Sequence, residues 1–247
     1  MKATAFEFRF RLWIILAIYT LGFTTPWDAI WRIDPRGING DVWGWLAATL
    51  SRGGAMSISA AFNVVLVAAI VCAVAGAWLR MWGTANLSVD VMSGRSMRGE
   101  AVVVAGPYRY LRNPLYVGSW LNTLALTLLM RPSGAVFTVV ALVGFQVRLI
   151  LGEEAFLREK LGEAYTTYCA KVPRIVPALR SRVSGSGAPP QWGRAALAEI
   201  YMWLSAAAFA VLGWRYDERL LLQCVLVSLG ASLVVKGLGM GQGEKAG

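Results

Sequence analysis

Two short strings hold most of the residue types that could do chemistry in this chain. The first string, residues 106–118, reads Gly-Pro-Tyr-Arg-Tyr-Leu-Arg-Asn-Pro-Leu-Tyr-Val-Gly and is rich in polar, aromatic and turn-forming side chains. The second is the adjacent pair Glu153-Glu154, which follows a long apolar segment. Adjacent carboxylates are costly at the edge of a membrane unless they meet a partner or a cationic ligand. These two strings are therefore the first candidates for a functional site.

Each string also has a purely structural interpretation. Gly106-Pro107 can make a turn, Pro114 can start a helix, and Arg109 and Arg112 can bind lipid phosphates among an aromatic belt. The two glutamates can lie on a solvated interfacial helix. Arg80, at the inner end of an apolar segment, can equally be a charge that ends a membrane span. The residues alone leave both interpretations open.

The composition excludes several classes of chemistry. The chain has 247 residues and no histidine, so it cannot hold a Ser-His-Asp triad, a Cys-His dyad or an HExxH zinc site. Its three cysteines are far apart and predict buried apolar residues rather than disulfides or a metal pair. We expect no metal cofactor.

The same composition predicts a polytopic membrane protein. Hydrophobic residues make up 57% of the chain, charged residues only 15%, and the mean hydropathy is +0.53. The net charge of +10 does not predict nucleic-acid binding, because basic nucleic-acid binders are otherwise polar on the binding face. Six apolar windows, uncharged except for Glu199 near the start of the fifth, predict about six transmembrane helices: Leu12 to Trp27, Gly53 to Leu79, Leu115 to Met130, Pro132 to Val147, Ala195 to Trp214 and Leu220 to Val235.

The positions of the basic residues predict the orientation. Most of the 24 Lys and Arg residues fall on one side of the six windows, which predicts that both termini are cytoplasmic. The inner segments 80–114 and 148–194 then carry both candidate strings. From Gly152 onward, apolar residues at helical spacing predict an interfacial helix, and Ser181 to Pro190 predicts a flexible linker.

Taken together, these strings resemble the superfamily of isoprenylcysteine carboxyl methyltransferases and phospholipid methyltransferases, which are integral-membrane enzymes. The resemblance covers about residues 76–177. It is carried by Gly106-Pro107-Tyr108, Arg112-Asn113-Pro114-Leu115-Tyr116, Glu153-Glu154, Leu161-Gly162-Glu163-Ala164-Tyr165, Tyr168 and Val172-Pro173-Arg174. The asparagine at 113 stands where the carboxyl methyltransferases often have histidine, so the sequence looks more like the phospholipid and bacterial branches.

The resemblance implies an all-α membrane enzyme that binds S-adenosylmethionine in a pocket at the cytoplasmic face and methylates a lipid-like or small hydrophobic acceptor. The implied catalytic residues are Arg112, Glu153 and Glu154. The implied cofactor-binding residues are Gly106, Pro107, Tyr108, Arg112, Asn113, Pro114, Tyr116, Gly118, Glu153 and Glu154. Arg80, Arg148, Tyr165 and Tyr168 are the expected substrate-binding residues.

The resemblance also predicts the domain boundaries of the chain and its location in the cell. These are N-terminal helices with an outer loop (1–75), the methyltransferase core (76–180), a linker (181–194) and a C-terminal helix pair (195–247). We expect a bacterial inner-membrane protein in contact with membrane lipids.

Two other functions remain open at this stage. A membrane sterol-type reductase looks similar in its terminal hairpin but uses NADPH. A small lipid carrier would suit six helices and an intramembrane Glu199, although the chain has no inverted repeat.

Overall fold

The structure is a computed structural model that describes residues 3–30, 40–54, 56–87, 104–185 and 189–243. Within these ranges all regular elements are helices. In chain order they are α1 (Ala5–Arg9), α2 (Arg11–Thr24), α3 (Trp27–Ile30), α4 (Val42–Ser51), α5 (Ile58–Ala85), a 3-10 helix (Gly106–Arg109), α6 (Pro114–Thr127), α7 (Pro132–Lys171), α8 (Trp192–Ala198), α9 (Ile200–Leu212), a second 3-10 helix (Gly213–Arg215) and α10 (Glu218–Gly243).

The helical fold of the described residues agrees with the predicted all-α fold. The number of candidate membrane spans, however, is smaller than the six predicted. Among the described residues, α5 and α7 are long and apolar enough to cross a membrane, and α2 is a shorter apolar helix. Helix α8 and the helical segment after it count as a third span only if taken together, because they are bent by 68° at Glu199. The structure therefore supports two or three candidate spans, and the number six remains a prediction.

One expected loop contains a packed helix. The sequence assigned residues 28–53 to an outer loop, but α4 forms there because the Asp41 carboxylate accepts a hydrogen bond from the Gly44 backbone at 2.6 Å and caps the helix start. Trp43 on this helix lies in the main apolar core, and Ala47 is fully buried. Burial of these two side chains against α5 stabilises the helix. Hydropathy windows do not detect this kind of packing.

The expected interfacial helix is not a separate element. Helix α7 continues through Gly152 and carries Glu153-Glu154 in its interior, while its break lies at Gly162, where φ is 55° and ψ is −126°. Only glycine adopts that backbone region readily. Glu153 and Glu154 therefore lie in the helical segment before the break rather than at the start of a separate helix.

Helices α5 and α6 make the most extensive contact in the fold, and glycines allow it. A Cβ on Gly118 would lie 2.8 Å from the Gly76 carbonyl oxygen and 2.6 Å from Cγ of Arg80. This close crossing puts Arg80 directly beside the first turns of α6. It also uses Gly118, predicted as a cofactor contact, as a point of helix packing.

Candidate functional site

The first string starts with a tight turn that is fixed by its neighbours. Gly106 has a φ of 53° and opens the 3-10 helix, where a Cβ would collide with the side chains of Asn86 and Trp82 at the end of α5. Pro107 is buried within the same turn. The glycine-proline pair thus holds the string against the C-terminal end of α5.

The segment that follows α7 packs along this string. The Arg112 backbone donates a hydrogen bond to the Pro173 carbonyl at 2.9 Å, and the Ala178 backbone donates to the Tyr110 carbonyl at 2.9 Å. The Tyr168 hydroxyl donates to the Tyr108 carbonyl at 2.7 Å. Residues far apart in sequence therefore form one continuous surface at this end of the bundle.

Glu154 lies at the centre of a buried cluster of charges. Only 1% of the residue is exposed, and its carboxylate oxygens lie 2.8 Å from Arg174, 3.2 Å from Arg112 and 3.4 Å from Arg158. The hydrogen bond from Arg174 to Glu154 raises the pKa of the Arg174 guanidinium. One carboxylate with three cationic partners leaves the cluster with an excess of positive charge, which suits an anionic ligand group.

Arg112 retains a hydrogen-bond donor that no described residue accepts from. Its Nη1 donates to the Cys169 sulfur at 2.8 Å, while its buried Nε has no partner among the described residues. The side chain is only 10% exposed, so water cannot replace the missing acceptor easily. A buried guanidinium N–H without an acceptor is the kind of group that a carboxylate ligand satisfies.

Glu153 has different surroundings from its neighbour. Its Oε1 accepts a hydrogen bond from the Tyr116 hydroxyl at 2.9 Å, and Arg11 of α2 lies within electrostatic range. The described residues give it no direct ion pair. Of the two adjacent glutamates, Glu153 is therefore the one with a carboxylate left to meet a ligand, and Glu154 holds the surrounding arginines.

Among the other predicted cofactor residues, Asn113 contacts the same cluster, whereas Gly106 and Gly118 pack against α5. The Asn113 amide donates to the Arg174 carbonyl at 3.2 Å and reaches Glu154 at 3.5 Å. Pro114 is the first residue of α6. Burial raises the pKa of the Tyr108 phenol, so this hydroxyl stays protonated at ordinary pH.

The four predicted substrate residues do not lie together. Arg148 pairs with Glu7 of α1 at 2.9 Å, and Arg80 pairs with Glu199 at 2.6 Å. Tyr165 and Tyr168 are buried with Val172 in a small apolar cluster beneath the first string. Tyr168 thus supports the first string, while Arg80 and Arg148 link the core to the two ends of the chain.

Sequence reasoning gave no role to several residues that complete the cluster. Arg158 follows Glu154 by one helical turn, a spacing that permits an ion pair. Arg174 belongs to a quoted motif but had no assigned partner. Nothing in the sequence links Cys169 to Arg112, because that contact depends on how α7 packs. No group of three potential metal ligands occurs in the part of the chain that the structure describes.

In the described ranges, these features define a class: a helical protein with two or three candidate membrane spans and a buried cluster of arginines around a carboxylate. Residues 64–164 match the family model of the phospholipid methyltransferases. The match covers less than half of the chain and, for that segment, confirms the resemblance predicted from the sequence. The family indicates methyltransferase activity. Neither the curated proteins nor the solved structures yielded a match to the chain.

Proposed function

We propose that this protein is a membrane methyltransferase that binds S-adenosylmethionine and methylates a lipid-like or small hydrophobic acceptor. The observation that supports the cofactor most directly is the buried, unpartnered Nε of Arg112 beside an excess of positive charge. The cofactor has a carboxylate for this donor and an α-amino group and ribose hydroxyls for Glu153. When bound, it supplies an electrophilic methyl group on a sulfonium.

The residues of this chain act mainly by binding and positioning. Arg112 would hold the carboxylate of the cofactor and Glu153 its α-amino group or ribose hydroxyls, while Glu154 holds Arg112 in place through a 3.2 Å contact. The Tyr116 hydroxyl orients the Glu153 carboxylate through its 2.9 Å hydrogen bond. Positioning of two reactants and exclusion of water can supply much of the acceleration of a group transfer.

Proton removal from the acceptor is limited by the absence of histidine. Tyr108 is a poor base because its raised pKa keeps the phenol protonated. Glu153 is the remaining candidate for a base beside the first string, unless the acceptor is an already ionised carboxylate. The kind of acceptor atom that can react therefore depends on the direction of Glu153. If Glu153 faces the acceptor, it can act as the base, and if it faces the cofactor, it cannot.

Calorimetry on the purified protein in detergent tests the cofactor. We expect saturable heat with S-adenosylmethionine or its demethylated product and none with NADPH. Arg112→Gln should weaken binding about ten- to a hundredfold, because a charge-assisted hydrogen bond is lost. Arg109→Gln is the matched control, since Arg109 is committed to the Ser181 hydroxyl at 3.2 Å. Binding of NADPH alone would instead support a reductase, and equal affinity in both variants would contradict the site.

We further propose that both strings face the cytoplasm of a bacterial cell. An intracellular cofactor must reach Arg112 and Glu153 from the same side. A single cysteine at Ser184, in a background without Cys72, Cys169 and Cys224, should react with an impermeant reagent only after the membrane is opened. One at Ser51 should react before. Ser96, the other inner position suggested by the sequence, lies outside the described residues. Labelling of Ser184 from outside would contradict the orientation.

A further inference from the structure

A buried ion pair joins the family segment to the C-terminal helices. Arg80 donates to the Glu199 carboxylate through Nε at 2.6 Å and through Nη2 at 3.0 Å, which is the bidentate geometry of a strong pair. Thr84 also donates to Glu199, at 2.8 Å. Ionisable groups at membrane depth are costly and usually functional. This pair lies outside the cluster around Glu154.

The position of Glu199 depends on a bend between two helices. Glu199 lies at the 68° bend between α8 and α9, beyond the segment 64–164 that matches the family. Glu199 and Arg80 lie within electrostatic range of Tyr108, and Arg80 also lies in range of Tyr116. The C-terminal helices therefore bring a carboxylate to the edge of the proposed methyltransferase site.

One buried polar atom near the pair has no partner among the described residues. Arg80 donates to the Ser119 hydroxyl at 2.8 Å, and Asn122 follows Ser119 on α6. Asn122 is only 1% exposed and lies near Tyr201, and its Oδ1 accepts nothing from the described residues. An unsatisfied buried acceptor is costly, and a ligand N–H or O–H would remove that cost.

We propose that Arg80, Glu199, Asn122 and Tyr201 form the head-group site for the methyl acceptor, and that Glu199 sets its charge preference. This inference rests on the proposed function. Glu199 neutralises Arg80, so the site takes an uncharged or cationic head group that donates a hydrogen bond to Asn122. An anionic head group would have to compete with Glu199 for Arg80. The Arg80 side chain keeps 24% of its surface exposed, which leaves the pair open to such a ligand.

The charge preference follows from desolvation. A carboxylate that enters this site must compete with Glu199 for Arg80 and lose its own hydration. Removing the Glu199 charge reverses the balance, because Arg80 then becomes an uncompensated buried cation. Glu199→Gln should therefore convert a site that rejects anions into one that prefers them.

Three twelve-carbon amphiphiles with different head groups test this proposal: dodecylamine, dodecanol and dodecanoate. Their binding is measured by thermal shift of the purified protein in detergent at about pH 8, where the amine is cationic and the carboxylate anionic. The wild-type protein should bind the amine and the alcohol more tightly than dodecanoate. In Glu199→Gln the affinity for dodecanoate relative to dodecylamine should rise about ten- to a hundredfold. Glu159→Gln, on the exposed face of α7, makes the same change in net charge and controls for general electrostatics.

A second variant keeps the test decisive if Glu199→Gln does not fold. Asn122→Leu removes the acceptor without changing charge, and should reduce binding of dodecylamine and dodecanol while dodecanoate changes little. Unchanged preference in Glu199→Gln, or unchanged binding in Asn122→Leu, would overturn the assignment. Calorimetry with S-adenosylmethionine is run on the same samples. If the cofactor binds but the head-group preference does not change in Glu199→Gln, only the head-group site is refuted. If the preference changes but the cofactor does not bind, the methyltransferase function is refuted and an amphiphile carrier remains.

Discussion

The adjacent glutamates should respond differently to the same substitution. Glu154→Gln removes the carboxylate at the centre of three arginines, of which Arg112 is only 10% exposed. Breaking a buried ion pair by removing one partner costs about 3–5 kcal/mol. The other two arginines, Arg158 and Arg174, are 45% and 39% exposed and can turn toward solvent, so each adds little. We therefore expect a loss of unfolding free energy of about 3 kcal/mol for Glu154→Gln.

Glu153→Gln should leave the fold nearly intact. Its carboxylate accepts one described hydrogen bond, from Tyr116, and the amide oxygen of glutamine can accept the same bond. The expected loss of stability is about 1 kcal/mol or less. The effect should instead appear in cofactor binding, because the negative charge that meets a cationic group of the cofactor is gone. We expect affinity for S-adenosylmethionine to fall about ten- to a hundredfold.

Two measurements on the same preparations separate these effects. Unfolding in mixed micelles of increasing SDS content, followed by circular dichroism, reports the stability of each variant, and calorimetry reports cofactor affinity. Glu159→Gln, on the exposed face of α7, should change neither quantity. Equal losses of stability at the two positions, or a larger loss at Glu153, would refute the different roles that we assign to them.

Two further predictions concern packing and pH. Gly118→Ala should lower stability by about 1–3 kcal/mol in the same SDS assay, because its Cβ would lie 2.6 Å from Arg80 Cγ. Gly144→Ala, with nothing within 4 Å, should not, and equal effects would contradict the close crossing. A hydrogen bond with Asp41 raises the pKa of Glu218 from 4.5 to about 7, so the folded state binds this proton more tightly. Stability from this proton is present below pH 4.5 and should be lost as the pH rises through about 7; thermal unfolding from pH 5 to 8 should show that slope, and Glu218→Gln should flatten it.

Much of the protein was readable from the sequence because the signals are local. Long uncharged windows predicted apolar helices, and Pro114 and Pro132 each stand at the first residue of a helix. The two strings identified the family because their residue types and order are fixed along the chain. The lack of histidine limited the chemistry before any fold was known.

Local signals failed where tertiary packing decides the structure. Hydropathy could not show that Trp43 lies in the core, or that α7 continues through Glu153. A window average also could not detect the bend at Glu199. That bend brings the Glu199 carboxylate onto Arg80. A charged residue inside an apolar helix is stable only with its partner, and that partner is 119 positions away.

The distinction between the two glutamates shows the division most clearly. Their sequence positions are equivalent, and both were predicted to hold the cofactor. On a helix, however, neighbouring residues point about 100° apart, so they meet different surroundings. Glu154 faces Arg112 and the segment after α7, and Glu153 faces Tyr116. The sequence determined that two carboxylates lie at this depth of the helix. Only the packing of α7 against α6 and the segment that follows decided that one carboxylate is held by arginines while the other is left to meet a ligand.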